Sequence, residues 1–394
     1  MLWVLAAATL ATALPAVPVD DAVRAALDHD PALAAAKAEV EAAGGDLRAS
    51  RGVQYNPEIE LGVLFGGPPG STPRVEAQVM QPIPVSGEAR HASRSARSRL
   101  ESATAGLHRA RLETAARARR VFLRRVVAAA GLRIAEQELA GASGLLQAAQ
   151  ARFAAGDVAM LDVQLARLEE AGAVAAWLEA DAEATAARVG WAALTGLPTD
   201  GAVVTDPLAA APALNEQGPE VRSDVAAAGA ALVSAKAAVA REQSAGLPPI
   251  EIGAFVEGEA GLVFAGPRIS LSLPVRNQNQ RGIGAAQALL GRAQADVQAL
   301  TAQAAAERAS AAGAVESLER AVELLGDELP EAGAALVGVQ RGYEVGEFDM
   351  GQVLLLRARI ASGERGWYTA RAAVAEGRIK VALARELSTL LPRE

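Results

Sequence analysis

Side chains able to do covalent or metal chemistry are scarce in this chain. It has no cysteine, and its three histidines, His29, His91 and His108, sit apart in helical segments without ligand spacing. No phosphate loop, nucleophile elbow or paired acids in a cleft pattern occurs. The expectation is therefore no enzyme, no catalytic residue, no metal site and no cofactor. The informative polar residues follow another rule. Glu58 and Glu60 alternate with Ile59, Leu61, Val63 and Phe65, and Glu76 and Gln78 with Val75, Ala77 and Val79. Glu251 alternates with Ile250, Ile252, Ala254 and Val256, and Arg268, Ser270 and Ser272 with Ile269, Leu271 and Leu273. A two-residue period puts one polar and one apolar row on opposite faces of a strand. The chemistry of such rows is that of a charged, hydrated wall.

The elements that must carry these rows are arranged twice. Strand 75–83 ends near Pro84, a polar knot spans 86–90, and a long helical pattern follows. About 190 residues later, the strand containing Ile269 ends at Pro274, a knot spans 276–281, and another long helical pattern begins. Proline stops each ladder because it has no donor. A strand at 57–65 joins 75–83 through a Gly/Pro-rich turn, and a strand from Ile250 joins the Ile269 strand through a turn at 258–261. The result is four strands as two hairpins, 57–85 and 250–275.

Length and composition fix the rest. Of 394 residues, 51% are hydrophobic, mostly alanine, and only 3% are aromatic, so thin-cored helix packing suits the chain better than a globular α/β domain. The net charge of −8 argues against a nucleic-acid partner. The apolar run at 1–16, with small residues at Ala11, Ala13 and Ala16, reads as a signal peptide. Helical pattern over 20–51 is split by Pro31 after Asp30. The proline-free stretch 86–155 would be roughly 105 Å long as one helix. Its positions Leu100, Leu107, Thr114, Val121, Ala128 and Ala135 recur at heptad spacing. A first repeat thus covers 20–195, with a helical hairpin over 86–195. A linker follows at 196–219, and the second repeat covers 220–394, its helical hairpin over 277–391 and broken at Pro330.

The far turns of the two helical hairpins also match. Phe153, Gly156 and Met160 recur as Tyr343, Gly346 and Met350. Each glycine reads as a helix C-cap in the left-handed region, where the chain reverses. Asp157, Asp162, Glu347 and Asp349 cluster near these turns.

With these residues on the page, the chain resembles the TolC-like outer-membrane efflux ducts over nearly its whole length. The most specific parts are residues 274–282, the run Glu328 to Ala332, Arg341 to Gly346, and Asp30 to Leu33. The resemblance implies a mainly α fold with a small β part: a homotrimer whose protomers each give four strands to one twelve-stranded barrel. Long duplicated coiled-coil hairpins would form an α-helical periplasmic tunnel. It also implies outer-membrane lipid around the barrel, a periplasmic adaptor (membrane fusion) protein, and an inner-membrane pump of RND or another type. The strands agree with this picture independently. Four of them span an outer membrane but cannot close alone, and open edges in lipid are intolerable.

On this reading Glu58, Glu60, Glu76, Gln78, Glu251, Arg268, Ser270 and Ser272 line the barrel lumen. Phe153, Gly156, Asp157, Asp162, Tyr343, Gly346, Glu347 and Asp349 form the adaptor-docking tip. Asp162 matches an acidic tip position of the family, whereas Gln352 and Leu355 stand where it often has aspartates. Residues 81–90, with Gly87 and Arg90, resemble ducts of heavy-metal efflux systems, so metal ions or small molecules are the expected cargo. A protein-secretion duct is one alternative. A periplasmic coiled-coil adaptor or structural protein is another, although adaptors do not carry two matched strand hairpins half a chain apart.

Overall fold

A computed structural model describes residues 17–52, 55–65, 73–199, 206–259, 262–274 and 278–392. The signal peptide at 1–16, the first hairpin turn at 66–72, and parts of the linker (200–205), the second hairpin turn (260–261) and the second knot (276–277) lie outside the described residues.

The elements follow one order twice. The first pass is α1 (Val19–His29), α2 (Pro31–Ala49), β1 (Glu58–Leu64), β2 (Arg74–Ile83), α3 (Glu88–Ala155) and α4 (Met160–Thr195). The second is α5 (Ser223–Ser244), β3 (Ile250–Glu259), β4 (Leu262–Leu271), α6 (Gln280–Val345) and α7 (Met350–Arg385). Short 3₁₀ turns occupy Pro207–Ala210 and Ser388–Leu390. Pro31 separates α1 from α2 as its fixed φ and missing donor require.

Two compact units cut across the two repeats. One gathers residues 17–33, 110–220 and 305–392, and the other 34–109 and 221–304, among the described residues. The first unit holds the larger core. Val23, Leu112, Ile379, Leu387 and Leu390 form one buried cluster, and Phe122, Val126, Trp191 and Ala375 a second. Alanines fill much of both, which permits close helix packing in place of large side chains. The second unit contains the sheet, α2, α5 and the adjoining stretches of α3 and α6.

Three expectations about boundaries need correction. Pro330 does not break its helix: α6 runs through it to Val345. Contacts with α7 grip the turn just before the proline. A Cβ on Gly326 would lie 3.2 Å from Trp367 Nε1, and one on Gly363 would lie 3.0 Å from Leu329 Cδ2. Tertiary packing thus holds the helix against the lost hydrogen bond. β4 starts at Leu262 and stops at Leu271, before Pro274; it is an edge strand, which tolerates Pro267 in its interior. The last helix ends at Arg385 because Glu386 turns left-handed at φ 54°, and the chain then buries Leu387 and Leu390.

Candidate conduit wall and helical turns

The sheet order β1-β2-β3-β4 is antiparallel throughout and leaves β1 and β4 as edges. Register fixes the faces, because directly opposed residues point the same way. Glu60 faces Gln78, Gln78 faces Phe255, Glu251 faces Ser270, and Gly253 faces Arg268. Glu58, Glu60, Glu76, Gln78, Glu251, Arg268 and Ser270 therefore share one face. Ser272 lies past the end of β4, so strand parity does not place it. The same face carries Arg74 and Glu257, an ion pair that was absent from the residues expected there. Continued alternation beyond Glu76 and Glu251 was the available signal.

The opposite face is apolar almost throughout: Ile59, Leu61 and Val63 on β1, Val75, Ala77 and Val79 on β2, Ile250, Ile252, Ala254 and Val256 on β3, and Val263, Ala265, Ile269 and Leu271 on β4. Among the described residues nothing covers it: Leu61, Val263 and Ile269 are 77%, 74% and 73% exposed. An apolar surface running over four strands is far more than the scattered exposure normal for a protein in water.

Side chains on the polar face lie flat. Gly62 leaves room for Glu76, whose Oε1 would be 2.7 Å from a Cβ there. Gln78 donates to the Glu60 carboxylate, Arg268 donates to the Gln78 amide oxygen, and the Arg268 guanidinium lies 5.8 Å from the Phe255 ring centroid. Among the described side chains, Glu58, Glu60, Glu76, Glu251 and Glu257 outnumber Arg74 and Arg268 by three on this face.

Each strand–helix junction turns through a left-handed residue immediately before the long helix, Gly87 (φ 81°) before α3 and Asn279 (φ 62°) before α6. The Asn279 amide donates to the Glu242 carbonyl at 3.0 Å and to its carboxylate at 2.7 Å. A Cβ on Gly282 would lie 2.4 Å from Asn279 Oδ1 and 2.5 Å from Glu242 Oε2. The asparagine and glycine in 274–282 are thus required by one crowded turn, because asparagine tolerates the left-handed region and only glycine fits beneath it.

At the other helix ends Gly156 (φ 82°) and Gly346 (φ 87°) form matching Schellman caps. Asp157 N donates to Arg152 O at 2.9 Å and Gly156 N to Phe153 O at 3.0 Å; Glu347 N donates to Gly342 O at 2.7 Å and Gly346 N to Tyr343 O at 3.2 Å. The repeated motif is nevertheless used asymmetrically. Phe153 and Met160 are exposed, whereas Tyr343 and Met350 are 1% and 2% exposed in a core with Leu145, Ala149, Val163, Ala166 and Val353. Tyr343 therefore supports the turn from inside, and its ring cannot present itself to a partner as the sequence suggested. Arg152 stacks over that ring at 4.8 Å and donates to the Tyr343 carbonyl at 2.7 Å, joining the two turns. Burial first, and then the Asp162 carboxylate, push the Tyr343 phenol above its ordinary pKa against the Arg152 charge. Asp349 is the N-cap of α7 and forms a capping box with Gln352, so its carboxylate is committed to the helix start. Gly156, Asp157, Gly346 and Glu347 are exposed, and Asp162 is half-buried.

Buried polar groups lock the first unit. Asp30 accepts from the Thr114 hydroxyl at 2.7 Å, the Arg117 guanidinium at 2.9 Å and the Ala32 amide at 3.0 Å. Burial alone would raise its pKa, but the Thr114, Ala32 and Arg117 contacts outweigh it and hold the carboxyl below its ordinary value. Arg119 donates to the Leu390, Thr389 and Ala210 carbonyls, tying α3 to both 3₁₀ turns. A cavity of about 490 Å³ lies among α3, α4, α6 and α7, lined by Arg357, Glu138, Glu169 and Gly141 among others. Arg357 packs where a Cβ on Gly141 would be, 2.3 Å from its Nη1, and donates to Glu138 O at 2.8 Å. His29 bonds its own helix, through Nδ1 and Ala25 O at 3.0 Å. Among the described residues no group of three or more His, Asp or Glu is placed to hold a metal ion.

Comparison with known proteins agrees with this geometry. Residues 22–197 match the family model described as outer membrane efflux protein. No curated protein matches the chain. Among solved structures, a CusC structure from work on folding and transmembrane channel formation superposes with TM-score 0.74 at 16% identity, covering 94% of this chain and 92% of that one. The outer membrane protein VceC of Vibrio cholerae gives TM-score 0.74 at 19% identity, covering 93% and 95%. The open-state MtrE outer membrane channel of Neisseria gonorrhoeae gives 0.67 at 19%, covering 93% and 88%. Residues 22–197 are thus similar to the outer membrane efflux protein family, and the fold over nearly the whole chain is that of these outer-membrane channel structures.

Proposed function

We propose that this protein is the outer-membrane channel of a tripartite efflux system, conducting solutes passively to the exterior. The observation that carries the reading is the two-faced sheet with its open edges. Its apolar face is exposed over all four strands, and the unpaired groups of β1 and β4 need partners before the sheet can sit in lipid. Three copies, each pairing β1 with β4 of the next, give twelve strands and no edge, with the apolar faces outward in lipid. The row from Glu58 to Ser270 then lines the lumen, and an excess of glutamate there favours cations. A conduit needs no catalytic group; energy comes from an inner-membrane pump through a periplasmic adaptor.

The adaptor meets the turns around Gly156 and Gly346, with Phe153, Asp157 and Glu347 exposed toward it. Metal ions or small molecules are the cargo this reading favours, on the form of residues 81–90 and the negative polar face. Fractionation tests the proposal directly. The protein should co-sediment with outer membranes and run as a heat-modifiable trimer. Release with soluble periplasm would refute the channel and favour a periplasmic coiled-coil adaptor.

A further inference from the structure

The polar face contains two guanidinium groups with different fates. Arg74 pairs with the Glu257 carboxylate, so its charge is cancelled on the spot. Arg268 instead donates to the neutral amide oxygen of Gln78, which in turn donates to Glu60. The chain Arg268–Gln78–Glu60 crosses from β4 to β1, although β3 lies between β2 and β4. Small residues open that route. Gly253 is the register partner of Arg268, and a Cβ on it would sit 1.9 Å from Val79 O and 2.5 Å from Met80 Sδ. Gly266 admits the Phe255 ring edge 3.3 Å from where its own Cβ would be. The guanidinium is thus stretched along the wall at 5.8 Å from the Phe255 centroid, held by a donor–acceptor chain with no carboxylate in contact with it among the described residues.

We infer that Arg268 is the specificity-determining residue of the conduit, a fixed positive charge that restrains the cation preference set by the surrounding glutamates. The inference rests on the proposed assignment of this face to the lumen. Charge fixed at the wall of a narrow aqueous pore acts on every passing ion, and three copies place three such charges around one lumen. The Gln78 relay matters because a neutral partner leaves the charge whole, while its link to Glu60 fixes the position. Solutes carrying positive charge would pass more slowly at this belt than the glutamates alone imply, and dipolar or neutral solutes would be affected least.

Planar-bilayer recordings of the purified trimer under a potassium chloride gradient test this. Wild type is expected to be mildly cation-selective. Arg268→Gln should raise the cation-to-anion permeability ratio roughly two- to fivefold at low salt, with the difference shrinking in molar salt. Arg268→Lys, which keeps the charge, should stay near wild type. Gln78→Glu, which gives the guanidinium a carboxylate partner, should shift the ratio in the same direction as Arg268→Gln and serves if that variant fails to assemble. Conducting, cation-selective trimers whose ratio is unmoved by both Arg268→Gln and Gln78→Glu would overturn the inference and leave the channel reading standing. Folded trimers that form no pore, or an anion-selective wild type, would overturn the lumen assignment and this inference with it.

Discussion

Replacing Gly346 by valine isolates the contribution of the helical turn. The residue sits at φ 87°, where an L side chain costs about 1–2 kcal/mol and a β-branched one about 2–3 kcal/mol. Steric crowding adds little, because a Cβ there would meet only Arg152 Nη2, at an ordinary 3.5 Å. The penalty is therefore conformational and follows side-chain type. Asparagine should cost well under 1 kcal/mol, alanine about 1 and valine about 2 or more. Escape to negative φ would break the 2.7 Å bond from Glu347 N to Gly342 O and lift Phe348 from Gly342, where a Cβ would lie 2.3 Å from the ring. At 2 kcal/mol the native turn loses roughly thirtyfold in population against relaxed forms. Trimer yield and barrel insertion should be unchanged, because the strands belong to the other compact unit. Capture of the cognate adaptor by site-specific crosslinking should fall in the order asparagine, alanine, valine. Gly156→Val has the same backbone strain and no neighbour within 4 Å, so the double variant should be worse still. Normal capture by assembled Gly156→Val/Gly346→Val trimers would refute a docking role for these turns.

Further outcomes follow from the packing at two sites. Asp30→Ala strands the Thr114 hydroxyl and the Ala32 amide and should lower the stability of the helical unit by about 2–3 kcal/mol, read as a drop in the thermal midpoint of the solubilised trimer. Because the folded Asp30 pKa is depressed, its contribution is complete above the ordinary carboxylate value near ~3.9 and is lost as pH falls through the folded value. Asp30→Asn should flatten that acid limb, and an unchanged limb would exclude Asp30 as its source. Gly253→Ala forces a Cβ to 1.9 Å from the Val79 carbonyl, so β2–β3 pairing must shift and heat-modifiable trimers should become scarce. A normal trimer yield from Gly253→Ala would show that the β2–β3 pair can separate at this level without harm.

The alternation of Glu58 to Val63, Val75 to Ile83 and Ile250 to Glu257 determined both faces of the sheet, because a period of two leaves one choice once register is set. Pro31, Gly156 and Gly346 likewise announced their boundaries, since their backbone limits are local properties of the residue. What the sequence could not decide depends on neighbours far along the chain. Pro330 stays helical because Trp367 and Leu329 pack against Gly326 and Gly363, and no local rule contains those contacts. Nothing in the local sequence marks Arg119, Arg222 and Arg357 for burial, yet they are buried where carbonyls and carboxylates from distant or adjacent segments meet them. The aromatic–glycine–methionine motif occurs twice with nearly the same local sense. Only the packed core decides that Tyr343 and Met350 go inside while Phe153 and Met160 stay out, because burial is a property of the surrounding helices and a repeat in sequence need not meet the same neighbours.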